Sequence, residues 1–290
     1  MLKELVVISG KGGTGKTSIV ASLVSLLDNK IMADCDVDAA DLHLVLQPEI
    51  METIEFWSGK TASIDQEKCS KCGKCLELCR FDAISKDFVI DPIACEGCGV
   101  CAYFCPNKAI EFNENLCGHI YVSKTPHGSM IHAKLGIAEE NSGKLVTQVR
   151  ARTRALADEE KVNTIVVDGP PGLGCPVIAS ITGASIVLIV TEPTMSGIHD
   201  LERVIELTRH FRIQAAVCIN KWDINPEISE SIVNNCRQMN VAVIGQIPYD
   251  NNITKAQIQG ISLIDYNPTS PAAIELFKLS EQVSALLDNN

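Results

Sequence analysis

Leu5-Val6-Val7-Ile8-Ser9-Gly10-Lys11-Gly12-Gly13-Thr14-Gly15-Lys16-Thr17-Ser18 decides the fold of this 290-residue chain. The apolar, β-branched run at its start is what a central parallel strand requires, and a helical pattern over 16–28 follows it. Between them lies Gly10-x4-Gly15-Lys16-Thr17. Its glycines let main-chain N–H groups curl around a phosphate, and the next helix adds the positive end of its dipole. Lys16 is expected on the β- and γ-phosphates and Thr17 on Mg²⁺. The competing reading, an ordinary glycine-rich turn, does not require the full motif in this strand-to-helix setting.

Apolar runs recur at Lys30–Asp34, Thr164–Asp168, Ser185–Val190, Ala215–Asn220 and Val241–Gly245. Helical patterns separate them at Asn141–Glu159, Gly197–His210 and Pro226–Met239, and an amphipathic packing helix is expected over Ala272–Leu287. Alternating strands and helices predict an α/β, doubly wound, mostly parallel sheet.

An interruption between about Lys60 and Phe112 carries Cys69-x2-Cys72-x2-Cys75-x3-Cys79 and Cys95-x2-Cys98-x2-Cys101-x3-Cys105-Pro106. Ile64-Asp65, Cys69 and Ala83-Ile84 recur 26 positions later as Ile90-Asp91, Cys95 and Ala109-Ile110, so a supersecondary unit is duplicated. The spacing is that of bacterial ferredoxins with two [4Fe–4S] clusters, each taking its fourth ligand from the other repeat. Cys69, Cys72, Cys75 and Cys105 are therefore assigned to one cluster, and Cys95, Cys98, Cys101 and Cys79 to the other. Zinc is the competing ligand, although structural zinc sites usually pair two C-x2-C units across a longer gap. Arg80 replaces the proline expected after Cys79. The predicted organisation is a first segment over 1–59, an inserted α+β ferredoxin-like module over 60–114 and a second segment over 115–290, with strands at His119–Ser123 and Met130–Ala133 rejoining the sheet.

Lys11-Gly12-Gly13-Thr14-Gly15-Lys16-Thr17 resembles the deviant Walker A motif of the MinD/ParA/nitrogenase-iron-protein ATPases. The resemblance implies ATP and Mg²⁺ as ligands, held by Gly10–Ser18, and a homodimer that forms on ATP, with Lys11 reaching the partner's nucleotide. Asp34-Cys35-Asp36-Val37-Asp38 resembles the family's switch I, with Asp36 orienting the attacking water. Asp168-Gly169-Pro170-Pro171-Gly172 resembles Walker B and switch II, with Asp168 on Mg²⁺ through water. Asn220-Lys221 matches the adenine-reading position, with Pro248 packing nearby. Cys175, seven residues beyond Asp168, resembles in its placing a dimer-axis, cluster-ligating thiol of the nitrogenase iron protein, the competing reading being a satisfied thiol near a helix start. Cys117 is a second candidate at that surface, with no motif of its own.

Cys35, Cys218 and Cys236 read as small buried hydrophobes, and His127 and His132 read as structural rather than metal-ligating. Twenty-five Lys+Arg against 36 Asp+Glu give a net charge of −11, which argues against nucleic acid or anionic membrane as partner. The start of the chain shows no charged, apolar leader, so a cytoplasmic setting is expected, where clustered cysteines serve metals. The whole pattern resembles MinD-like ATPases with a ferredoxin insert. It implies ATP turnover coupled to electron transfer or metallocofactor assembly on a client protein. The alternatives are a MinD/ParA-like positioning ATPase with the insert as redox sensor, and a plain ferredoxin-like carrier on an ATPase scaffold.

Overall fold

The computed structural model describes residues 2–136 and 142–289. In chain order the elements are β1 (Lys3–Ser9), α1 (Lys16–Leu26), β2 (Lys30–Asp34), α2 (Leu42–Leu46), β3 (Glu49–Ile64), α3 (Lys74–Leu78), α4 (Val100–Tyr103), β4 (Ile110–Thr125) and β5 (Gly128–Leu135). They continue as α5 (Ser142–Glu160), β6 (Thr164–Pro171), α6 (Cys175–Ile181), β7 (Ile186–Thr191), α7 (Met195–His210), β8 (Gln214–Asn220), α8 (Pro226–Gln238), β9 (Ala242–Ile247), α9 (Asn251–Ile258), α10 (Leu263–Tyr266) and α11 (Pro271–Asp288). Asn141, the predicted start of the helix seen as α5, lies outside the described residues.

Two compact units emerge. The first comprises Met1–Thr53, Ile120–Lys134 and Ser142–Asn290, and the second Ile54–His119 with Leu135–Asn141. Strand order is β3-β4-β5-β2-β6-β1-β7-β8-β9. From β5 through β2, β6, β1, β7 and β8 to β9, each strand runs parallel to the next. Register places Val7 and Asp34 beside Asp168, so the carboxyl ends of β1, β2 and β6 share one edge. In open α/β sheets that edge is where ligands bind.

Alternate strand residues face opposite layers. Leu5, Val7, Met32, Val166 and Leu188 pack with α1, α10 and α11 in one buried cluster. On the other face α5 and α6 cover β2 and β6, burying Leu145, Val146 and Val149. Helix starts follow their capping residues: Thr194, Asn225 and Ser270 accept from Gly197 N, Ile228 N and Ala273 N, with prolines opening α8 and α11.

The second unit repeats its backbone as it repeats its sequence. Asp65 N donates to Ala109 O, and Asp91 N to Ala83 O, both at 2.8 Å, a reciprocal exchange between the two copies. Left-handed φ values recur 26 residues apart, at Lys71 and Gly97 (54° and 61°), Gly73 and Gly99 (80° each), and Asp82 and Lys108 (52° and 49°). The short helices α3 and α4 start after Gly73 and Gly99. Gly97 has no substitute, because a Cβ there would lie 2.2 Å from Lys60 O.

A buried ion pair fastens the first unit. Glu4 on β1 accepts from Arg150 Nε at 2.7 Å, and Arg150 Nη1 also donates to Ala179 O and Thr182 O at the end of α6. Glu4 and Arg150 are each 5 % exposed, so removing one strands the other's charge. Glu4→Ala is expected to lower stability by about 3–5 kcal/mol, read from denaturant unfolding.

Candidate functional site

The carboxyl edge of the sheet carries the phosphate loop. Gly15 sits at φ +84°, and a Cβ there would strike the Asn220 side-chain amide at 2.3 Å, which is why the loop needs glycine at this point. Asn220 Nδ2 donates to Thr14 O at 2.7 Å, joining the end of β8 to the loop. A cavity of about 430 Å³ opens here, lined by Gly12–Ser18, Asp36, Asp41, Pro171, Asn220, Lys221, Tyr249, Asp250 and Gln257. That volume suits a nucleotide-sized ligand. Ile247 and Tyr249 line it, whereas Pro248 between them does not.

Lys16 is the electrostatic centre. Its Nζ lies 2.5 Å from Asp168 Oδ1 and 3.3 Å from Asp36 Oδ2, with only 6 % of its surface exposed. Burial works against its charge, but Asp168 and then Asp36 outweigh that, so the ammonium is held above its ordinary pKa. Asp34, fully buried, is pushed well above the carboxylate range by burial and by Asp168. Burial raises Asp36 as well, and Lys16 offsets only part of the rise. Asp34 accepts from Asp36 N at 3.1 Å and Leu42 N at 3.2 Å, which shapes the Asp36–Asp41 turn. Asp168 Oδ2 and Thr14 Oγ1 are buried with no hydrogen-bond partner among the described residues. An excess of buried carboxylate and an orphaned oxygen are what a divalent cation would satisfy.

Lys11 is held within its own chain. Its Nζ pairs with Glu192 Oε1 at 2.8 Å and donates to Ser196 Oγ at 3.0 Å and Thr194 Oγ1 at 3.2 Å. Lys221 Nζ takes the other Glu192 oxygen at 3.3 Å, and these two lysines overcome burial to hold the Glu192 carboxyl below its usual range. Glu192, Asp41, Tyr249 and Gln257, whose Nε2 donates to Ser18 Oγ at 2.8 Å, were not singled out by sequence reasoning. An acid just past a fully buried strand was the one signal available for Glu192.

In the second unit the eight motif cysteines divide between two hollows. Cys69, Cys72, Cys75 and Cys105 line one, and Cys79, Cys95, Cys98 and Cys101 line the other. Their walls match by the 26-residue repeat, with Ile64, Ala109 and Ile110 in one answering Ile90, Ala83 and Ile84 in the other. Main-chain Lys71 N and Ala109 N donate to the sulfurs of Cys69 and Cys105 at 3.4 and 3.3 Å. Burial and the neighbouring thiols Cys69 and Cys72 raise the Cys75 thiol, and Cys95 and Cys98 act likewise on Cys101. Among the described residues no three His, Cys, Asp or Glu side chains converge on one point as a single-ion site would require.

The remaining candidates separate by burial. Cys35, Cys218 and Cys236 are buried, and burial lifts the thiols of Cys218 and Cys236 to about 12 and about 11. Cys175 is exposed at the start of α6. Cys117 differs from the expectation of a surface thiol: it is 1 % exposed on β4, with its Sγ donating to Ser58 O at 2.8 Å, because its strand position faces inward. His127 pairs with Asp265 at 3.0 Å. Burial, with His43 stacked at 5.8 Å, lowers His132 to about 4. No helix among the described residues is long and apolar enough to cross a membrane.

The family described as the CobQ/CobB/MinD/ParA nucleotide binding domain matches residues 5–264. The uncharacterized protein MJ0578 of Methanocaldococcus jannaschii is 33 % identical over 99 % of this chain and 96 % of its own. The cell division ATPase MinD of Pyrococcus furiosus superposes with a TM-score of 0.60 at 21 % identity, covering 99 % of this chain and 100 % of that one. The septum site-determining protein MinD of Pyrococcus horikoshii, solved with Mg-ADP, gives 0.60 at 19 % identity, covering 99 % and 97 %. With the loop, the buried carboxylates and the parallel edge in place, the chain belongs to the CobQ/CobB/MinD/ParA family of nucleotide-binding P-loop proteins.

Proposed function

We propose that this protein is an ATP-hydrolysing, dimeric switch whose second unit is a ferredoxin-like insert for two [4Fe–4S] clusters. It would couple ATP turnover to electron transfer or to metallocofactor assembly on a client protein. The partition of the eight cysteines between two hollows carries the second half of this reading. A cubane offers a separate iron to each thiolate, so its ligands surround a space instead of meeting at one point. Left-handed turns at Gly73 and Gly99 and N–H donation to sulfur suit that donor set.

At the nucleotide, Lys16 would leave the carboxylates for the β- and γ-phosphates as the loop N–H groups enclose them. Thr17 and Asp168, the latter through water, would hold Mg²⁺, which when bound neutralises phosphate charge. Asp36 would orient the attacking water, and Lys11 would exchange Glu192 for the partner's nucleotide. Asn220 and Lys221 bound the cavity where the base would lie.

Likeness to MinD and to the other solved folds favours a second reading, a positioning ATPase in which the insert senses redox state. The two readings part in one measurement. In the first, ATP accelerates reoxidation of the reduced protein by an acceptor; in the second, redox state alters ATP turnover while ATP leaves reoxidation unchanged.

Lys16→Ala is expected to abolish nucleotide binding by calorimetry. Asp36→Ala should retain binding, accumulate as an ATP dimer and lose ~100-fold or more in turnover. Lys11→Ala should lose dimerisation and turnover while binding ATP as a monomer. Parent-like hydrolysis in all three would refute the assignment of these roles. Anaerobically purified protein should carry about eight iron and eight sulfide per chain. Gly97→Ala should retain roughly half of that, since only the second loop is displaced from Lys60. Stoichiometric zinc without visible absorbance would refute the cluster reading.

A further inference from the structure

The two copies in the second unit agree in backbone and differ in what they turn toward their cysteines. Three pairs of positions 26 residues apart line both hollows and carry unlike side chains. Ser70 in the first answers Glu96 in the second, Lys74 answers Val100, and Asn107 answers Phe81. Lys74 is the cationic member of its pair and Asn107 the polar member of its own, while at the remaining pair the second hollow receives the carboxylate of Glu96 where the first has the neutral hydroxyl of Ser70. The Lys74 ammonium is also placed, standing 5.7 Å from the centre of the Phe104 ring, an exposed aromatic that holds it by cation–π attraction.

The asymmetry extends along the loops. From 65 to 78 the chain carries Lys68, Lys71 and Lys74 against Asp65, Glu67 and Glu77, whereas the equivalent stretch from 91 to 104 carries only Asp91 and Glu96. One-electron reduction makes an iron–sulfur cluster more negative. A neighbouring cation stabilises the reduced form, while a neighbouring carboxylate or an apolar wall opposes it.

Resting on the cluster reading above, we infer that the two sites are not equivalent. The site of Cys69, Cys72, Cys75 and Cys105 has the higher reduction potential and holds the electron at equilibrium. The site of Cys79, Cys95, Cys98 and Cys101 is the lower-potential one, with Lys74 and Glu96 as the residues that set the order. An electron supplied to the second site therefore runs downhill to the first, and the reverse transfer needs work.

The test is a potentiometric titration of the full-length, anaerobically purified protein. Dithionite serves as the one-electron donor, signals are followed by electron paramagnetic resonance at low ionic strength, and iron and sulfide are determined on the same sample. Two separate one-electron steps are expected. Lys74→Val should lower the upper step and leave the lower one in place, and Val100→Lys should raise the lower step alone. Glu96→Ser should also raise the lower step. A single midpoint in the parent with full iron, or a shift of the same step by both Lys74→Val and Val100→Lys, would overturn the inference and leave the cluster reading standing. Absence of iron and sulfide would overturn both.

Discussion

Three buried carboxylates, Asp34, Asp36 and Asp168, share one ammonium, that of Lys16, and the site is organised around this mismatch. Neither Asp34 nor Asp168 can relax toward water, since both are almost wholly buried. Burial raises Asp34 and Asp36 toward their protonated forms, and it does so where parallel register brings the ends of β1, β2 and β6 together. A lysine in that position is an internal counterion waiting for an external one. On the function proposed above, a metal-bound phosphate would bring the positive charge with it and would free Lys16 to act on the phosphate.

The same economy links the neighbouring segments. Asp34 also receives the main-chain N–H groups of Asp36 and Leu42, so the turn that carries Asp36 hangs from a buried acid that feels the charges of Asp168 and Lys16. Lys11, Glu192 and Lys221 form a second charge group around the loop, and Lys221 Nζ also reaches Gly13 O at 3.3 Å. The phosphate loop is thus tied to the turn after β2 and to the start of α7 through contacts between charges and main chain.

Much of this was legible in the sequence, for identifiable reasons. Central strands such as Leu5–Ile8 and Ser185–Val190 are buried on both faces, so composition alone marks them. The 26-residue repeat announced the duplication, and the ferredoxin-like spacing suggested the exchange of Cys79 and Cys105 between repeats that the linings of the two hollows also show. β3 was missed because most of Glu49–Ile64 is exposed and carries glutamates and lysine, which erase the alternating pattern of a half-buried strand. Glu192 and Gln257 escaped notice because tertiary contacts alone bring them to the loop. Cys117 was misplaced because a thiol's burial depends on which face of β4 it occupies, and no motif near it fixed the register. The contacts of Lys11 with Thr194, Ser196 and Glu192 likewise come from tertiary structure alone.

Strand order has a further consequence, in time and not in space. β1 is the first strand made, yet its two neighbours are β6 and β7, which begin at Thr164 and Ile186. During synthesis the phosphate loop leaves the ribosome without the walls that will hold it, and Leu5, Val6 and Val7 must wait while the whole of the cysteine-bearing unit is made. The main segment of that unit, Ile54–His119, is complete before β6 is made, so it can finish before the strand that precedes it has found a partner. Among the strands, the oldest part of the nascent chain waits longest for its partners.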